Sequence, residues 1–422
     1  MRLWFGAAVA ALLAVPASAE TVLITADRMV DVLTGRTIEK PAILVEDGRI
    51  RQIGSQLTLK ITDAKRIDFP GLTLVPGFID MHVHLTGDPR ISPSDSLLKT
   101  DSYWPILGAV QARKMLDTGF TTVRNLGSGD FNDVALKQVI EDGWLVGPRI
   151  VPAAYALGAT GGHCDETFFP PSFNMKSRGV ADGVDALRAK VREIRKYGAE
   201  VIKVCATGGV FSRNTEPGQQ QLREEELKAI ADEAHMWGVK VAAHAHGTSG
   251  IKSAIRAGID TIEHASLIDD EGIKLAKERG AYLSMDIYNT EYTQSEGQKN
   301  GVLEDNLRKD REIADIQREG FRKANAAGVK MVFGSDAGVM PHDLAVNQFA
   351  VMTRFGMTPL QALRAATSTA AEALGREKDV GAIAVGRYAD MVAVEGDPLA
   401  GVEPLLHAKA VVKDGVLVTD RR

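Results

Sequence analysis

The chain has 422 residues, 45% hydrophobic and 25% charged, a balance that supports a large buried core and excludes a disordered or fibrous protein. Its formal net charge of -5 gives no electrostatic basis for binding nucleic acid, and no block of like charge marks a tail. The expected partner is a small-molecule or peptide substrate.

Arg2, an Ala/Leu/Val run ending near Val15, and Ala17 and Ala19 spaced for cleavage before Glu20 make residues 1–19 read as a secretory signal peptide. The apolar run is too short to span a bilayer comfortably, and no later stretch is apolar for long enough. A periplasmic or secreted protein without a stable membrane span is expected, rather than one held by an uncleaved anchor. With only Cys164 and Cys205 present, a disulfide framework is excluded. One bridge between them is allowed, but a buried thiol near Lys203 is the favoured reading for Cys205.

From Thr21 to Pro76 the pattern is strands and turns: Thr21 to Ile24, Ala42 to Val45, Ile50 to Gly54 and Leu72 to Val75. The C-terminal stretch repeats this style at Ala389 to Val394 and from Ala410 to Val418. Two such segments around a different middle predict a small β-sandwich domain built from both chain ends, residues 20–76 and 381–422. Between them, over residues 77–380, strand-like runs alternate with amphipathic helices. Phe120 to Arg124 follows a helix around Leu107 to Leu116, Val201 to Val204 follows Val184 to Tyr197, and Val239 to Ala243 follows Glu224 to Trp237. Thr261 to Glu263, Ala281 to Ser284 and Lys330 to Phe333 continue the rhythm. This predicts an α/β fold, a (β/α)8 TIM-like barrel whose active site lies where the strands end. Asn289 to Arg311, polar and charged, is expected to form an extended loop and helix over that site.

The chemistry-bearing residues fall at those ends. His82 and His84 close the apolar run from Leu74 to Met81, and alternation on a strand puts both imidazoles on one face. Lys203, His244 with His246, His264 and Asp336 follow, all but the lysine ordinary metal ligands. An ammonium cannot ligate a cation and is costly in an apolar strand. Carboxylation by carbon dioxide resolves this, because a carbamate offers two oxygens that can bridge two metal ions, and burial beside cations favours the free amine it forms from. The set then divides into His82, His84 and Asp336 on one divalent metal and His244 and His264 on the other, with N6-carboxylysine at Lys203 between them. Zinc suits this mixture of donors, although manganese, cobalt or iron occupy similar sites.

His82-Val83-His84, Lys203, His244, His264, Asp336, the run from Ala206 to Val210 and the split β domain resemble the amidohydrolase superfamily. The likeness is to its binuclear-zinc Xaa-Pro dipeptidase and imidazolonepropionase-like branch, which includes ochratoxinase-type carboxypeptidases. The resemblance implies hydrolysis of an amide bond, with Asp336 taking a proton from the attacking water and delivering it to the leaving amine. It favours His244 over His246 as ligand and leaves His246 to contact substrate; strand alternation alone leaves both open. It also places His163, in a Gly-Gly-His segment, on the scissile carbonyl or a terminal carboxylate. Related enzymes more often have glycine after that histidine, so Cys164 is a departure. Arg213, as partner of a substrate carboxylate, and Tyr288, as donor to the oxyanion, complete the candidate set.

Other residues read as structural. His235, His342 and His407 are ordinary hydrogen-bonded histidines, Asp80 holds a histidine or a backbone turn, and Glu263 is expected to point away from the metals by alternation. Glu224 to Glu226 suit a helix N-terminus. The function expected is an exported amidohydrolase that releases a C-terminal amino acid from dipeptides or N-acyl amino acids, with ochratoxin-type amides as a subset. The alternatives are a cyclic-amide hydrolase, phosphotriester or lactone hydrolysis at the same centre, and a binding protein on a retired enzyme scaffold. Assembly as a homo-oligomer is compatible with the barrel, but no local pattern marks an interface.

Overall fold

The computed structural model describes residues 21–56, 58, 59, 61 and 63–422, and the expected signal peptide lies outside the described residues. Thr21–Asp31 pairs antiparallel with Pro41–Glu46 and parallel with Lys65–Pro76. Lys65–Pro76 in turn pairs antiparallel with Met391–Glu395 from the far end of the chain, placing Val392 opposite Val75. Ala410–Lys413 and Val416–Asp420 extend the same sheet. The two chain ends thus share one continuous eight-stranded sheet. It carries its own apolar cluster, including Ile24, Ile43, Phe69, Leu74 and Met391.

Eight parallel strands form the barrel in two hydrogen-bonded groups. Phe78–Val83, Phe120–Asn125 and Arg149–Pro152 make one; Val201–Cys205, Lys240–Ala245, Thr261–His264, Tyr282–Ser284 and Met331–Val332 make the other. Leu157 joins them at one seam, donating to the Lys203 carbonyl at 2.8 Å and accepting from the Cys205 N–H at 2.8 Å. At the other seam Met81 donates to Phe333 at 2.9 Å and His84 to Ala337 at 2.7 Å, closing the ring. Strands such as Phe78–Val83 and Phe120–Asn125 are buried along their whole length because helices cover one face and the barrel interior the other.

The helices follow the same logic. In Glu224–Met236, Leu227, Ile230, Ala231 and Ala234 form the buried stripe, while the Glu226 carboxylate accepts from the Arg223 N–H at 2.8 Å. The acidic start of that helix is therefore a cap, as its sequence suggests. Segment 289–311 is more helical than expected: Asn289–Glu296 and the long Glu304–Ala327 lie over the strand ends and face a cavity through Asn289, Thr293, Asp310, Ile313 and Gln317. No helix among the described residues is long and apolar enough to cross a membrane.

Candidate metal centre and active site

The predicted ligands converge at the C-terminal ends of the barrel strands around a cavity of about 360 Å³. His82 is buried; its Nε2 lies 3.4 Å from the Lys203 Nζ and 3.4 Å from an Asp336 oxygen, and His84 Nε2 is 3.3 Å from that same oxygen. His264 and Asp336 both adopt left-handed backbone conformations, with φ of 68° and 57°. Such strain in non-glycine residues persists where the surroundings demand a particular side-chain direction.

Four of the imidazoles, those of His82, His244, His246 and His264, are held by one nitrogen, leaving the other available. His82 Nδ1 is 3.0 Å from Glu263, His264 Nδ1 2.9 Å from Asp286, His244 Nε2 3.1 Å from the Gly208 carbonyl, and His246 Nδ1 2.7 Å from the Ser266 hydroxyl. An N–H donated to a carboxylate or carbonyl selects the tautomer whose remaining nitrogen carries a lone pair for a cation. Donor atoms of His82, His84 and Asp336 lie within 4.8 Å of one another, as do those of His244, His246 and His264. This chemistry fits divalent cations. The geometry keeps both His244 and His246 within reach of the second position. A third group, His264, Asp286 and Asp336, lies across the two.

Glu263 departs from expectation. It lies in the barrel interior beneath the site, accepting from Arg124 Nη2 at 2.8 Å and Thr261 Oγ1 at 2.5 Å while engaging His82. Regular alternation would put Glu263 and His264 on opposite faces, but the left-handed turn at His264 lets both face inward. Although burial opposes ionisation, Arg124 and His82 hold the Glu263 carboxyl well below the usual carboxylate range. Asp80 behaves as read from the sequence: it accepts from the backbone N–H groups of His82 at 3.0 Å and Ser335 at 3.1 Å, and burial pushes its pKa up to about 7. Burial lowers Lys203 to about 8, against the opposing pull of Glu263 and Asp336, so the neutral amine is far more accessible near neutral pH than that of an exposed lysine.

The substrate-side candidates divide. His163 lines the cavity with its ring stacked on His244 at 4.0 Å and its Nδ1 2.9 Å from Ser212 Oγ. A side chain at Gly209 would come within 2.4 Å of that ring, which accounts for the glycine there. His246 also lines the cavity. Arg213 is exposed and bonds to the Phe168 carbonyl at 3.2 Å, outside the lining, because the loop after Lys203 turns it toward residues 167 and 168. Tyr288 packs against the core, its hydroxyl accepting from Asn347 at 2.8 Å, and is also absent from the lining. The buried-thiol reading of Cys205 is overturned: Cys205 is bonded to Cys164, with Cα atoms 5.8 Å apart, because the loop after the third barrel strand folds back over the Lys203 strand. His342 Nε2 donates to the His84 carbonyl at 3.2 Å, and His235 pairs with Asp260 at 2.8 Å, both structural roles.

Residues 73–418 match the amidohydrolase family. The chain belongs to that family. This amidohydrolase is 33% identical over 399 residues to ochratoxinase from Aspergillus niger, covering 89% of this chain and 82% of the relative. It is 27% identical to imidazolonepropionase from Shewanella sp. (strain MR-4), covering 90% and 93%. Among solved structures it is similar to a Xaa-Pro dipeptidase with methionine bound in its active site, with 32% identity, a TM-score of 0.87, and coverage of 94% and 99%. It is a hydrolytic enzyme with a TIM-type barrel and an appended β domain.

Several residues of the amidohydrolase site escaped the sequence reading. Arg124 was visible as a charge inside a buried strand, but its bonds to Met81, Thr261 and Glu263 cross the barrel and have no local signature. Asp286 holds His264 and is itself held by Asn289 at 2.5 Å and Gln317 at 3.1 Å. An acid just past the strand Tyr282–Ser284 was the available signal. Lys309, almost fully buried, donates to the Ser212 carbonyl at 2.8 Å and pairs with Asp305 at 2.9 Å. It thereby steadies the loop against which His163 rests.

Proposed function

We propose that the chain is an exported binuclear metal-dependent amidohydrolase that releases a C-terminal amino acid from dipeptides or N-acyl amino acids, ochratoxin-type amides included. The observation that carries this reading is the arrangement of two histidine-rich donor sets around a buried lysine, with His82, His244 and His264 each oriented by the other ring nitrogen. The ochratoxinase relative and the free amino acid in the active site of the Xaa-Pro dipeptidase support the choice of leaving group.

In this reading His82, His84 and Asp336 would hold one cation and His244 and His264 the other, with carboxylated Lys203 offering its oxygens to the same centre. Carboxylation joins the neutral Lys203 nitrogen to the carbon of carbon dioxide and releases one proton. Two divalent cations, zinc by donor type, would supply there the Lewis acidity for activating water and polarising the scissile carbonyl. Asp336 takes the proton of the attacking water and returns it to the leaving nitrogen. His163 holds the carboxylate of the leaving amino acid, or the scissile carbonyl, and His246 borders the same space. Export rests on the N-terminal segment.

Metal analysis combined with a product assay tests this. Purified mature enzyme is expected to contain two metals per chain and to release a free amino acid from linear amides of the N-acyl amino acid class. Turnover confined to cyclic amides, or metal content without hydrolysis of any linear amide, overturns it.

A further inference from the structure

One carboxylate in the wall of the metal cavity has no counter-charge in the protein. Asp310, on Glu304–Ala327, is 6% exposed and lines the cavity. Its Oδ2 accepts from Thr290 Oγ1 at 2.7 Å and from Gln294 Nε2 at 2.6 Å, both neutral groups on Asn289–Glu296. Its Oδ1 receives no hydrogen bond from the described residues and is not enclosed by them. The cations nearest to Asp310 along its helix are engaged elsewhere. Lys309 pairs with Asp305 at 2.9 Å and donates to the Ser212 carbonyl at 2.8 Å, Arg311 pairs with Glu304, and Arg318 pairs with Glu291 at 3.1 Å. Asp286, the adjoining carboxylate of the wall, adds repulsion.

A tie between the two helices does not call for this charge. An amide oxygen would accept the same two hydrogen bonds from Thr290 and Gln294 without the cost of burying an ion beside neutral donors only. Burial accordingly pushes the Asp310 carboxyl up, while Thr290 and Gln294 pull it back down. A metal ion is not the missing partner, because Asp310 belongs to none of the donor groups close enough to share one. The free oxygen suits a ligand that brings both a positive charge and an N–H. With Oδ2 occupied, only one oxygen remains, which fits the point charge of an ammonium better than the two-pronged fork of a guanidinium.

We propose that Asp310 is the counter-ion for a primary ammonium group of the substrate. Two parts of a linear amide can supply one: the α-ammonium of a dipeptide, or the side chain of lysine as the released amino acid. The proposal rests on the amidohydrolase reading above and adds the residue that reads substrate charge.

The test is kcat/KM for two pairs matched in shape: glycyl-phenylalanine against N-propionyl-phenylalanine, and Nα-propionyl-lysine against N-propionyl-norleucine. One pair is expected to favour its ammonium member at least ~10-fold, and that pair identifies which ammonium Asp310 holds. Asp310→Asn keeps an oxygen for Thr290 and Gln294 but removes the charge, and should bring the favoured ratio to within ~3-fold of unity. Asp310→Ser should do the same. Each ratio is internal to one preparation, so it does not depend on the fraction of a variant that folds or carries metal. Indifference of the unmodified enzyme to both pairs, or a preference that survives loss of the charge, overturns the role of Asp310 while leaving amide hydrolysis intact. Failure to hydrolyse any of the four overturns both.

Discussion

Substituting Glu263 by glutamine separates the structural and metal-orienting roles of the buried Arg124–Glu263–His82 network. Arg124 and Glu263 are 1% and 0% exposed, so water screens neither charge. The carboxylate receives Arg124 and Thr261 on one oxygen and His82 on the other. A glutamine has only one oxygen. If it serves Arg124, its NH₂ faces His82 Nδ1, which must then accept, moving the imidazole proton to Nε2 and removing the lone pair directed toward the metal set. Loss of an orienting partner of this kind lowers metal affinity ~10–100-fold, about 1.4–2.7 kcal/mol. The buried guanidinium, still hydrogen-bonded but left without a counter-charge, adds an expected ~3–5 kcal/mol loss of stability. Urea unfolding of the metal-free protein reads the second effect, and competition with a chromophoric chelator reads the first. Replacing both charges, Arg124→Met with Glu263→Leu, should restore most of the stability but not the metal affinity. A Glu263→Gln protein with both quantities unchanged refutes the network. The pH dependence has a defined sign: because Glu263 is held below its ordinary 4.5, its contribution is fully present above that pH and lost as the pH falls below it.

Lys203→Ala should lower metal content and activity together, with partial recovery on adding a short carboxylic acid that replaces the carbamate oxygens; full activity without rescue removes the carbamate. Asp336→Asn should reduce kcat by ~10²-fold or more, with a smaller change in KM if proton transfer is its main task, and near-normal turnover excludes that task. Cleaving Cys164–Cys205 with a phosphine reductant frees a loop spanning 41 residues of separation, an expected loss of about 4 kcal/mol on chain-entropy grounds. KM should rise as His163 loses its tether, and unchanged stability and KM would show the bridge to be dispensable. Finally, burial lowers His342 from 6.5 to about 4, so its contribution is present above pH 6.5 and lost as the pH falls toward 4. The worth of that shift is about 3 kcal/mol. The melting temperature of His342→Gln should therefore depend less on acid than that of the parent, and identical pH profiles would refute this.

The strand ends were legible because their signals are local. His82-Val83-His84 follows an apolar run, and the alternation of strands and helices carries Lys203, His244, His264 and Asp336 to equivalent places, where the structure brings them together. The two β segments likewise announced themselves by composition, although their hydrogen-bonding into one sheet required residues more than 300 positions apart to meet, as Val75 meets Val392. What remained hidden depended on closure of the barrel. Glu263 faces inward because the backbone reverses its handedness at His264, a conformation that strand periodicity does not encode. Arg213 and Tyr288 lie at plausible positions in the chain, but loop and helix packing turns them away from the cavity. The disulfide arises in the same way, from a loop and a strand 41 residues apart in sequence brought together. Sequence determined the element types, their order and the chemistry stationed at their ends. Tertiary structure decided which side chains share an environment, because contact across a barrel is set by closure and backbone direction rather than by spacing along the chain.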